Sequence, residues 1–213
     1  MDCPLCMVKH TMSCYPGYEM TMEELRGITS SSKKRGIHYD TITLTGGEPT
    51  SWPNLKQALK ELYISKIADN LTLITNGTNI EKIIEVKPFL NYYAVSYTQC
   101  GMKRKAEFDA LGHTIIYNGG EHKVIPTEPL KDTIPTECCN EKSFIGVKQN
   151  QVHYIAGKVY YCCYAKLFEY QIPLKGDMVC DFTDDFVAKF SNKKYDKEIC
   201  KYCICNHKVW KQI

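Results

Sequence analysis

The sequence predicts an α/β fold built on parallel strands, followed by a small cysteine-rich extension at the C-terminal end. Three observations carry this. Short strands rich in β-branched residues alternate with helical segments at the spacing of βα units, which favours parallel pairing through crossover helices. The chain has 213 residues, 44% of them hydrophobic and 24% charged, which suffices to bury a sizeable core. Its 12 cysteines gather in two groups, with none between residues 15 and 99.

The elements follow in order. Tyr15–Met20 reads as a turn. Thr21 and Glu24 have capping-box spacing and open a helix from about Met22 to Lys34. Thr41–Thr45 alternates and is rich in β-branched residues, so it reads as a strand. Gly46-Gly47-Glu48-Pro49 breaks it. Pro53 sits near the start of the next helix, where proline is tolerated. Leu55, Ala58, Leu59 and Leu62 recur there at the spacing of a buried helix face. Leu71–Thr75 is a second strand, stopped by Asn76-Gly77. Asn79 can cap a short helix ending near Pro88, and Tyr93–Tyr97 is a third strand.

Sheets of this kind place their binding loops at the C-terminal ends of the strands. The polar stops at Gly46–Pro49, Asn76-Gly77 and Ser96 are therefore expected at one rim. Beyond residue 105 the pattern weakens. His113–Tyr117 and Lys123–Ile125 are short strand candidates, and Val152–Ile155 with Lys158–Tyr161 reads as a hairpin around Ala156-Gly157. A soft boundary falls near 126–137, giving a first domain at about 1–130 and an extension at 131–213.

Composition excludes several classes. The balance of 27 basic and 24 acidic residues, net +3, is too weak to indicate a nucleic-acid partner. The apolar runs are far shorter than the roughly 20 residues that span a bilayer. Met1-Asp2-Cys3-Pro4 lacks the basic and apolar segments of a signal peptide. The even cysteine count could suit disulfides, but these usually staple small secreted domains with cysteines throughout. Ligation of Zn, Cu(I) or an Fe–S centre by thiolates is the better reading.

Cys3-Pro4-Leu5-Cys6 is a CxxC pair that would serve zinc, redox or cluster chemistry. Gly46-Gly47-Glu48-Pro49 by itself is ordinary turn chemistry. Their order is more specific. A cysteine loop, a helix, a strand ending in Thr45-Gly46-Gly47-Glu48-Pro49-Thr50, a helix, and a strand ending in Thr75-Asn76-Gly77 resembles the radical S-adenosylmethionine (radical SAM) superfamily over residues 1–100. The resemblance implies a partial (β/α) TIM-like barrel. It also implies a [4Fe-4S] cluster held by three cysteines of a CxxxCxxC loop, with the fourth iron open to the amine and carboxylate of S-adenosylmethionine. An electron from the cluster then cleaves the sulfonium, and a 5′-deoxyadenosyl radical takes hydrogen from a substrate.

These residues suit that role chemically. Three thiolates in place of four leave one site vacant. Gly46 and Gly47 let a ligand approach the backbone closely. Glu48 can accept charge-assisted hydrogen bonds from an α-ammonium group, and Pro49 completes the motif. Ser96 can offer a hydroxyl to a ribose or carboxylate, although a solvated strand end explains it equally well. Asn76 can do likewise or simply shape its turn. Cys3 and Cys6 match the last two cysteines of CxxxCxxC, while the first would fall before Met1. The expectation is that the chain is N-terminally incomplete, with an apolar strand and a cysteine upstream; otherwise Cys14 supplies the third thiolate.

The second cysteine group resembles the SPASM or twitch extensions of the same superfamily, where a hairpin and a later CxxC carry an auxiliary Fe–S cluster. Cys162 or Cys163, Cys180, Cys200 and Cys203 are the favoured ligands, with Cys205, Cys138 and Cys139 in reserve for a larger or second site. A closed zinc site is the competing reading. A reducing electron donor and a substrate, by family a peptide or protein, are the expected partners, and cytoplasmic location the expected setting. The rival function is a zinc-stabilised binding module without catalysis, or a superfamily fold that has lost its cluster.

Overall fold

The computed structural model describes residues 15–96, 103–111, 114–118, 152–162 and 179–191. The chain divides into two compact units, one being Thr21–Gly120 and the other Met1–Met20 together with Glu121–Ile213.

The Thr21–Gly120 unit opens with α1, Met22–Lys34. Thr21 stands at its N-cap with extended backbone, and its hydroxyl accepts from the Glu24 N–H at 3.1 Å while the Glu24 carboxylate accepts from the Thr21 N–H at 3.4 Å. This is the capping box the sequence predicts. Glu23 and Glu24 lie in the first turn and Lys33 and Lys34 in the last, each sign at the end of the helix dipole that favours it.

Strand β1 runs Tyr39–Leu44, followed by a 3-10 turn at Pro49–Ser51 and helix α2 at Leu55–Ser65. Strand β2 is Ala68–Thr75, helix α3 Ile80–Val86 and strand β3 Tyr92–Ser96. Helix α4, Lys105–Ala110, leads to strand β4 at Thr114–Asn118. The four strands pair in the order β1-β2-β3-β4, each pair parallel. Leu44 stands opposite Leu73, Thr75 opposite Val95, and Ser96 opposite Asn118. Each crossover carries a helix, as parallel neighbours require. The α/β class and parallel pairing expected from the sequence are thus present.

The core lies where helices meet sheet. Leu55, Ala58 and Leu59 are fully buried and Leu62 nearly so, the stripe read from their spacing. Ile80, Ile83 and Val86 of α3 and Leu71, Leu73, Tyr93 and Val95 of the sheet are buried with them. Burying one such large aliphatic side chain contributes about 1.5–3 kcal/mol. The Asn79 side chain accepts from the Lys82 N–H at 2.9 Å and caps α3. Helix α2 ends on Lys66 in the left-handed region, φ 53°, a place usually held by glycine.

The other unit contains an antiparallel sheet of three short strands, β5 His153–Ile155, β6 Lys158–Tyr160 and β7 Val179–Asp181, in that order. The β5–β6 hairpin turns on Ala156 and Gly157, both at positive φ (49° and 79°), the twist that suits a two-residue hairpin. Helix α5 spans Phe186–Ser191. Val159, Tyr160, Tyr161, Cys162, Cys180 and Phe186 are buried. Tyr154 and Phe182 meet edge to face at 5.4 Å, and Tyr161 and Phe190 at 5.6 Å. The hydroxyls of Tyr15 and Tyr160 are hydrogen-bonded. The hairpin matches the sequence reading; β7, α5 and α4 do not appear in it. Among the described residues no helix is long and apolar enough to cross a membrane.

Candidate functional site

The site is built on the turn that ends β1. Gly46 adopts φ +147°, a conformation that side chains rarely allow. A Cβ at Gly46 or at Gly47 would meet nothing within 4 Å among the described residues, so they leave the space beside this turn open. Glu48 follows with extended backbone and stands at the N-cap of the 3-10 turn, which Pro49 opens. Proline fits there because that N–H has no helical partner to lose. Pro49 and Thr50 are buried, whereas Glu48 is half-buried.

The Glu48 carboxylate ties the ends of two strands together. Its Oε1 accepts from the Thr50 N–H at 3.1 Å, the Thr50 hydroxyl at 2.7 Å and the Thr75 hydroxyl at 2.7 Å. Its Oε2 accepts from the Asn76 N–H at 2.7 Å. An ionised carboxylate has about four lone-pair sites over its two oxygens. Oε1 is thus fully engaged, and Oε2 retains capacity for one more donor. An anionic acceptor with spare capacity suits an ammonium group.

The end of β2 has its own order. The Thr75 hydroxyl accepts from the Gly77 N–H at 3.1 Å, and Asn76 Oδ1 accepts from the Thr78 N–H at 2.9 Å and the Thr78 hydroxyl at 2.7 Å. The Asn76 carbonyl therefore shapes its own turn. Gly77 takes φ +78° within it. Ser96 is the last residue of β3, one position beyond Val95, which stands opposite Thr75. Gly46, Gly47, Glu48, Pro49, Asn76 and Ser96 thus all follow or end strands of one parallel sheet at its C-terminal edge.

Sequence reasoning passed over Thr50 and Thr75. Both are almost completely buried, at 4% and 1% exposure, and both donate hydroxyls to Glu48. Thr75 had a signal: a hydroxylic residue directly before Asn-Gly, at the end of the strand beside the Glu48 turn.

Of the sequence-predicted metal ligands, Cys162 and Cys180 lie among the described residues. Cys180 is the middle residue of β7, opposite Val159, and Cys162 follows β6 by two positions. Both are buried at 7% exposure. Cys3, Cys6, Cys14, Cys138, Cys139, Cys163, Cys200, Cys203 and Cys205 lie outside the described residues. Among the described residues no group of three or more His, Cys, Asp or Glu is placed to hold a metal ion.

No curated protein matches the chain. Residues 1–97 match the family model described as the Radical SAM superfamily. That stretch includes both strand ends that meet at Glu48. The match places a radical SAM-type domain at residues 1–97; that superfamily generally uses a [4Fe-4S] cluster and S-adenosylmethionine.

Proposed function

We propose that the chain is an S-adenosylmethionine-dependent radical enzyme whose adenosylmethionine seat is the turn Gly46-Gly47-Glu48-Pro49. The observation that carries this is the Glu48 carboxylate, fixed by four donors from its own chain with Oε2 accepting only one. In this reading Oε2 accepts from the α-ammonium of the ligand. The glycines leave its path clear, and Ser96 with the Asn76 turn supplies polar groups for the ribose or carboxylate. Cys3 and Cys6 ligate the [4Fe-4S] cluster, with Cys14 the candidate third thiolate within the chain. When bound, the cluster supplies the electron that cleaves the sulfonium and starts hydrogen abstraction from a substrate.

In the same reading Cys162 or Cys163, Cys180, Cys200 and Cys203, with Cys205 in reserve, form an auxiliary Fe–S site of SPASM or twitch type. Burial of Cys180 within the small sheet and of Cys162 just after β6 supports a site that also stabilises this unit. The substrate is a peptide or protein, the electron donor a reducing partner, and the setting the cytoplasm, where thiolates stay reduced.

Anaerobic purification of the full chain tests the reading against a zinc-stabilised binding module. A brown protein containing iron and acid-labile sulfide supports the enzyme. A colourless protein containing zinc alone contradicts it.

A further inference from the structure

Thr75 has a place in this site that its residue type does not announce. Its hydroxyl is buried and has one proton to give. That proton goes to Glu48 Oε1 at 2.7 Å, because the same oxygen accepts from the Gly77 N–H at 3.1 Å. The Gly77 bond orients the hydroxyl, and the hydroxyl orients the carboxylate. Thr75 and the Asn76 N–H are the two donors that reach Glu48 from another strand; the two from Thr50 arise within the turn itself. Without Thr75 the carboxylate keeps both Thr50 bonds on Oε1 and the Asn76 bond on Oε2, but loses the one side-chain donor that ties it to β2. With it, Oε1 carries three donors against one on Oε2, and Oε2 is the oxygen left to a ligand.

We propose that Thr75 is a positioning residue for the ligand's α-ammonium group: it locks the Glu48 carboxylate so that Oε2 faces the space beside Gly46 and Gly47. It acts through Glu48 and does not itself touch the ligand. The inference rests on the adenosylmethionine reading above. It goes beyond that reading by assigning the orientation of the acceptor to a buried hydroxyl on the neighbouring strand.

The test compares two ligands on the full chain by isothermal titration calorimetry. S-adenosylmethionine carries the ammonium; 5′-methylthioadenosine has the same nucleoside without the amino-acid group. Thr75→Val keeps the shape and removes the hydroxyl, whereas Thr75→Ser keeps the hydroxyl. Thr75→Val is expected to weaken adenosylmethionine binding about tenfold, the loss of roughly one charged hydrogen bond, and to leave methylthioadenosine binding within about twofold. Thr75→Ser restores adenosylmethionine binding to within about threefold of the parent. Should Thr75→Val fail to fold, Thr75→Ala against Thr75→Ser carries the same comparison. Equal loss of both ligands, or loss of neither, overturns the positioning role while leaving the adenosylmethionine seat intact. Parent protein that binds neither ligand overturns the seat itself, and this inference with it.

Discussion

Glu48, at the end of β1, accepts a hydrogen bond from the backbone N–H of Asn76, at the end of β2, across 2.7 Å. The two residues are 28 positions apart in sequence, and the parallel register brings them together. Leu44 stands opposite Leu73, so the chains leaving both strands emerge at the same level of the sheet. A charged side chain used in this way has two duties. It holds the rim, and in the proposed seat it presents negative charge to the ligand's ammonium group.

Glu48→Ala separates these duties from mere surface charge. It leaves the Asn76 N–H and the Thr50 and Thr75 hydroxyls without their acceptor. A buried donor stripped of its partner costs about 1–3 kcal/mol, so chemical denaturation should show a loss of that size. A change within about 0.5 kcal/mol, ordinary for a surface substitution, contradicts the structural duty.

The two glycines are expected to respond differently. Gly46→Ala forces a side chain into φ +147° and should destabilise by about 1–3 kcal/mol. Gly47→Ala places its methyl in open space and should leave the midpoint of thermal unfolding nearly unchanged. It should nevertheless weaken adenosylmethionine binding, because the methyl enters the proposed seat. Equal stability of the two variants would falsify the backbone argument.

The helical face against the sheet can be probed at Leu59, which is fully buried on α2. Leu59→Ala should cost about 2–5 kcal/mol, through lost burial and the cavity left behind. Loss of less than about 1 kcal/mol contradicts its place in the core.

Tyr93 gives a pH dependence. Burial first, and the nearby Asp109 charge second, push its hydroxyl from 10.0 up to about 12. Between those values the unfolded chain releases the proton and the folded chain retains it. Stability is therefore full below pH 10 and declines as pH rises towards 12. Thermal unfolding followed from pH 8 to pH 12 should show this decline in the parent, and a shallower one in Tyr93→Phe.

The α1 helix, its capping box, the α2 stripe and the parallel strands were legible because each rests on local chemistry or on strong periodicity. Thr21 and Glu24 are three residues apart, and Leu55 to Leu62 repeats over two turns. Helices α4 and α5 were not legible because each has six residues, too few for a helical period to show. Phe108 is the buried residue of α4, packed 6.1 Å from Tyr93 and recognisable only through that long-range contact. Strand β7 has three residues and pairs with β6 across about 20 positions of sequence, so no turn signal announces it. At the site, Glu48 stood out by its motif and charge. Thr75 did not, because its role depends on which strand lies beside β1.

Adenosylmethionine cleavage tests the central claim most directly. The full chain, reconstituted anaerobically with iron and sulfide, is reduced with dithionite in the presence of S-adenosylmethionine, and 5′-deoxyadenosine is measured by mass spectrometry. Release of 5′-deoxyadenosine that disappears in Cys6→Ala is the predicted result. Cluster-loaded protein that binds S-adenosylmethionine and yields no 5′-deoxyadenosine contradicts the account.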